Sequence, residues 1–83
     1  MNTVEKVNSI LKEANISKVN LAKYLGVSRQ MVYNYLDGED LSKMPKDKSK
    51  LLFKLLLVEK EEDIDEIIID DDYLQEVTNK LSS

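Results

Sequence analysis

An all-α fold of five helices is what this chain predicts, on three observations. Its apolar residues recur at intervals of three and four, the spacing of a single helix face. Asn2, Ser17 and Ser28 stand just ahead of such runs, where a side-chain oxygen can accept one of the unpaired first N–H groups of a helix. Asn15, Gly26 and Gly38 stand just after them, where a residue that tolerates a left-handed backbone ends a helix.

Asn2 with Glu5 three residues later reads as a capping pair, and Val4, Val7, Ile10, Leu11 and Ala14 give a first helix over about 3 to 14. Ser17 caps a second over 18 to 25, whose stripe is Val19, Leu21, Ala22 and Leu25. Gly26 stops it. Ser28 caps a third, with Met31, Val32, Tyr35 and Leu36 on its apolar side and Asp37-Gly38 closing it. "EDLSKMPKDKSK" reads as a polar, lysine-rich connection, with Pro45 in the first turn of the fourth helix. There Leu51, Leu52, Phe53, Leu55, Leu56 and Leu57 predict a helix apolar almost all round, hence one lying between other elements. In "EIIID", three successive β-branched residues suit a strand, but the helical spacing of Ile64, Ile67 and Ile68 favours helix. Tyr73, Leu74, Val77 and Leu81 mark a last amphipathic helix with an Asp-rich start that suits its dipole.

Composition narrows the function. The 83 residues make one small domain with no Cys and no His, which removes thiolate and imidazole metal ligands and every nucleophilic pair built on them. No enzyme is expected, and no cofactor. Acids such as those of "DIDEIIIDDDYL" lack the glycine and spaced oxygens of a calcium loop, so no metal is expected either. No apolar run is long enough for a membrane span and the first residues lack the apolar core of a signal peptide, so a cytoplasmic protein is expected. The net charge of −4 hides an asymmetry. Residues 1–58 hold ten basic side chains against six acidic ones, a balance of +4, whereas residues 59–83 hold two against ten, a balance of −8. A phosphate backbone would meet a basic body with an acidic C-terminal segment.

Two short helices joined at Gly26 form a helix-turn-helix over 18–36. Glycine takes the left-handed backbone at little cost, so the second helix can cross the first steeply and turn one face outward. Leu21, Ala22, Leu25, Val27, Val32 and Tyr35 are then the buried side, Ala22 being small where the helices come closest. The stretch "SKVNLAKYLGVSRQMVYNYLDGE" resembles the helix-turn-helix of the phage repressor and Cro family, also called the Xre family, and the likeness extends more weakly over residues 1–58. It rests on Ala22, Gly26 and Val32 as small, turn and core residues and on "GVS" before the second helix. The resemblance implies a five-helix bundle of the repressor DNA-binding type; the acidic C-terminal helical extension after residue 58 departs from the family's pattern and is read from the sequence alone. It also implies that Arg29, Gln30, Tyr33 and Asn34 face the major groove and that Lys18 meets the phosphates.

The side chains support the same assignment on their own chemistry. Arg29 can present a guanidinium fork to guanine O6 and N7, and Gln30 or Asn34 can pair with adenine N6 and N7, each good pair being worth about 1–3 kcal/mol of discrimination. Tyr33 suits a thymine methyl or a phosphate. Ser17, Lys18, Ser28, Lys43, Lys46, Lys48 and Lys50 suit phosphate contact by hydroxyl, charge or helix N-terminus. An exposed polar face is most often only solvated helix; the Ala22, Gly26 and Val32 frame favours base contact instead.

Two roles are open for the acidic segment. Ile64, Ile67, Ile68, Tyr73, Leu74, Val77 and Leu81 offer more apolar surface than one small domain needs, which suggests a homodimer reading an inverted-repeat operator in double-stranded DNA. Alternatively the acids repel DNA or compete with it for the lysines. The expected function is sequence-specific DNA binding by a small transcriptional regulator of a phage, mobile element or bacterium, repressing by operator occupancy. The rival is a protein-interaction module on the same fold, or the DNA-binding piece of a larger regulator.

Overall fold

Each helix begins and ends for a reason local to its sequence. The computed structural model describes residues 1–83 as all-helical, with α1 Thr3–Glu13, α2 Lys18–Leu25, α3 Arg29–Tyr35, α4 Lys46–Leu56, α6 Asp71–Ser82 and, ahead of the last, a single turn, α5 Glu61–Ile64. Asn2 closes a reciprocal capping box on α1: its Oδ1 accepts from the Glu5 N–H at 2.8 Å, and its own N–H donates to Glu5 Oε1 at 2.9 Å. Ser17, Ser28 and Asp70 cap α2, α3 and α6 in the same one-sided way, each accepting from the N–H three residues on.

Three of the helices end in one motif. After α1, α2 and α4 comes a left-handed residue: Asn15 at φ 61°, Gly26 at φ 72° and Leu57 at φ 63°. The next N–H then reaches back to the helix, Ile16 to Leu11, Val27 to Ala22 and Val58 to Phe53, at 2.8, 3.0 and 3.0 Å. This is the Schellman arrangement, and the residues its bond joins are apolar in all three cases. Space is not what demands glycine at 26, since an added Cβ would meet only Lys48 Nζ at an ordinary 3.8 Å; the backbone angle is.

The core is one cluster of 17 buried residues, none polar or charged. α2 packs on α3 and α4, α4 on α6, and α1 on α5. Residues 59–83 therefore do not stand apart from a domain ending at 58: Ile64 and Val77 are fully enclosed in the same cluster. Tyr73 adds a polar tie, donating its hydroxyl at 2.8 Å to the Leu56 carbonyl at the end of α4.

The structure corrects five expectations. "EIIID" is not helical: the turn of α5 ends at Ile64, and residues 67–70 belong to no element. Asp70 must be extended, at φ −123° and ψ 175°, to cap α6, and helix cannot run through it. The leucine-rich helix is buried on one side, not all round; Leu52, Leu55 and Leu56 are enclosed, but Leu57 lies past its end and is 43% exposed. Val19 and Met31, assigned to buried stripes, are instead 42% and 39% exposed. The connection after α3 is not merely solvated, since Leu41 and Met44 enter the core. Pro45 is the cap before α4 rather than a residue of its first turn.

Leu57 adopts a conformation that costs a side chain about 1 kcal/mol and that glycine adopts freely. Leu57→Gly should raise stability by about 0.5–1 kcal/mol, read as a higher midpoint in thermal or urea unfolding; a fall of that size would show that the half-exposed leucine packs better than its exposure indicates. Burial pushes the Tyr73 phenol up from the usual 10.0 to about 12. A folded pKa above the unfolded one means that its contribution is intact below pH 10 and lost as pH rises towards about 12. Tyr73→Phe should cost about 1 kcal/mol at neutral pH, flatten that alkaline loss, and remove from the absorbance titration a phenol that ionises near pH 12.

Candidate nucleic-acid interface

The exposed face of α3 is set by what its other face buries. Val32 and Tyr35 enter the core at 0% and 5% exposure. At 3.6 residues per turn, Gln30 falls opposite them, Tyr33 and Asn34 on either side of that centre, and Arg29 and Met31 on its two edges. Arg29, Gln30, Tyr33 and Asn34 are all exposed and lie on this one face. None of the four is tied up in a side-chain hydrogen bond or ion pair within the chain, Tyr33 being 50% exposed. Gln30 stands at its centre, with Tyr33 and Asn34 flanking it. Met31 joins them, a residue that spacing alone placed inside; with only seven residues in α3, two buried positions suffice to anchor it and a third apolar residue is left out.

The seven residues expected at phosphates divide into three groups. Lys46 and Lys50 are exposed at the first turns of α4 and carry no ion pair. Ser17 and Ser28 accept from the N–H groups of Asn20 and Met31 at 3.1 and 3.2 Å, which leaves each hydroxyl proton free to donate outward. The remaining three lysines are engaged. Lys18 donates to Asn8 Oδ1 of α1 at 2.9 Å, which holds its ammonium beside the start of α2. Lys43 pairs with Asp37 at 3.3 Å on the surface. Close by, the Ser42 hydroxyl first, and its N–H second, hold the exposed Asp40 carboxyl below its usual range.

Lys48 has a different role from the one expected. Its ammonium is half-buried and donates at 3.0 Å to the carbonyl of Leu25, the last residue of α2. A cation there complements the negative end of the α2 dipole and satisfies a carbonyl that the helix leaves unpaired. Lys48 thus binds α4 to the bend at Gly26 and is less available to a phosphate than Lys46 or Lys50. A lysine three residues into the α4 segment carries no local signal of that contact, so sequence reasoning had no access to it.

The acidic segment does not cover the lysines. Both ion pairs of the chain, Lys43 with Asp37 and Lys48 with Asp47, lie within residues 37–48, and no carboxylate of 59–83 takes part in one. Direct competition for the lysines inside the folded chain is therefore not seen. Of the residues expected at a dimer contact, Ile64 and Val77 are spent in the chain's own core. Ile67, Tyr73, Leu74 and Leu81 are half-buried, and Ile68 is 78% exposed. The last turn of α6 lies against the outer side of α2, where Leu81 and Ser82 with Asn20, Lys23 and Tyr24 line a shallow open groove.

Comparison with protein-family models, with curated proteins and with solved structures finds no match for this chain.

Proposed function

We propose that the protein binds double-stranded DNA in a sequence-specific manner as a small transcriptional regulator, with 18–36 as a helix-turn-helix of the repressor and Cro type. The observation that carries the reading is the outward face of α3, where four unpaired polar or aromatic side chains stand over a buried Val32 and Tyr35 behind a left-handed bend. A seven-residue helix is about 10 Å long, which suits insertion across a major groove about 12 Å wide. Gln30 and Asn34 read bases, adenine being the base their amides pair with best, while Arg29 reaches guanine from the edge and Tyr33 a thymine methyl or a phosphate. Lys46 and Lys50, with Ser17, Lys18 and Ser28, hold the backbone. Repression follows from occupying an operator. An inverted repeat would seat two copies about 34 Å apart.

Val19, Met31 and Tyr33, all about two-fifths to one-half exposed, favour a second reading in which the same face binds a protein. Salt separates the two. On DNA, affinity should fall with a log–log slope of about −0.9 for each phosphate contacted. On a duplex recovered from a random pool, Gln30→Ala and Asn34→Ala should each lose about 1–3 kcal/mol while changing random-duplex binding little. Lys50→Ala should weaken both duplexes alike and reduce the salt slope by about one. Affinity flat in salt, or alanine effects equal on selected and random duplexes, would overturn the DNA reading.

A further inference from the structure

Residues 67–70 run between α5 and α6 with their backbone open. The N–H groups of Ile68, Ile69 and Asp70 and the carbonyls of Ile68 and Ile69 make no hydrogen bond within the chain. The burial of the three isoleucines alternates as in an extended strand: Ile67 and Ile69 are half-buried against the core, and Ile68, at 78%, is more exposed than any large apolar side chain but Met1. Both ends are pinned. Lys6 Nζ donates to the Ile67 carbonyl at 2.6 Å, Thr3 Oγ1 donates to Asp65 at 3.3 Å, and Asp70 is fixed as the cap of α6 at 2.8 Å. Successive N–H groups of an extended stretch alternate between its two edges, so the Ile68 N–H and C=O and the Asp70 N–H share one edge, free of the bonds that occupy Ile67. An open β-branched edge is what an added strand pairs with.

We propose that residues 67–70 form a β-template for an extended peptide of another protein, apolar at its centre and bearing lysine or arginine at both ends. Charge chooses the partner. Asp65 and Glu66 on one side and Asp70, Asp71 and Asp72 on the other are at least partly exposed, and none is ion-paired. Pairing with a second copy, antiparallel about Ile68, would set Glu66 against Asp70 and bring the other acids of the two copies close together. Parallel in-register pairing would set each acid against itself. Like charges directly opposite oppose a ladder, and opposite charges support it. A strand with basic flanks gains at both ends, and its central side chain covers Ile68. The template lies on the α1 side of the chain and owes nothing to the DNA reading.

The test uses the full chain and three synthetic peptides: KKVTVTVKK, its acidic counterpart EEVTVTVEE, and the basic peptide N-methylated at alternate residues so that it cannot form the ladder. The basic peptide should protect the amides of Ile68 and Asp70 from hydrogen exchange and leave that of Ile69, on the opposite edge, unprotected, and both other peptides should bind at least tenfold more weakly. Ile68→Pro, which deletes a template N–H, should lose the same factor with helix content unchanged by circular dichroism. Equal binding of the N-methylated and unmodified peptides would overturn the proposal, and this arm needs no altered protein. So would absence of amide protection with the basic peptide, or protection that rises with protein concentration alone, which would mark pairing between copies.

Discussion

The bend at Gly26 is the constraint on which the rest of the structure depends. A left-handed residue between α2 and α3 reverses the chain within three residues, so that α3 lays Val32 and Tyr35 on the core and leaves its other side free. Several contacts then hold the reversal rigid. The Val27 N–H returns to Ala22, Ser28 caps the next helix, and the Lys48 ammonium reaches across from α4 to the carbonyl of Leu25. Each satisfies a backbone group that a helix end would otherwise leave unpaired, and together they fix the direction of α3. If α3 reads bases as proposed, that rigidity favours it, because a side chain that must find a base edge loses affinity for every alternative orientation of its helix.

The charges are arranged by the same geometry. Lys18 and Lys48 are held by Asn8 and Leu25, so they behave as fixed parts of the frame. Lys46 and Lys50 stay free in solvent. The acids of 59–83 form no ion pairs with them. On the proposed reading, a polyanion would attract the free lysines and repel the acids before contact, and the net charge of −4 would limit binding to arbitrary phosphate surfaces.

Much of this was legible in the sequence, for an identifiable reason. The caps at Asn2, Ser17 and Ser28 and the stops at Asn15 and Gly26 are signals between residues a few positions apart, and each was found where it was expected. The exposed face of α3 was legible from the two core positions beneath it. What was missed depends on contacts between distant segments. Lys48 looked like one more surface lysine because its partner is 23 residues away. Leu41 and Met44 looked like linker because nothing local shows that α1 and Glu61 hold that connection, through the Glu39 carbonyl and the Leu41 N–H. "EIIID" misled because its spacing fits a helix, whereas the caps on either side decide its backbone. Leu57 gave no signal at all, since leucine is a poor choice for a left-handed residue and only the apolar pair of Val58 with Phe53 explains why the turn closes there.

The same reasoning changes how the acidic segment must be regarded. Its composition reads as an appendage, but Ile64 and Val77 are as buried as any residue of the first four helices, and Tyr73 completes the end of α4. Cutting the chain at residue 58 would remove two enclosed side chains from the core of a small domain, at about 2–5 kcal/mol for a single large-to-small change in such a place. A truncated chain would therefore report lost stability before it reported anything about charge. The segment's two properties are separable only side chain by side chain: Ile64 and Val77 belong to the core, and the carboxylates, which are unpaired and mostly exposed, belong to the surface. Replacing acids such as Glu62, Asp71 and Asp72 by their amides would alter the field and leave the packing intact. On the proposed reading, the effect of the acidic side on duplex binding is to be sought in those variants.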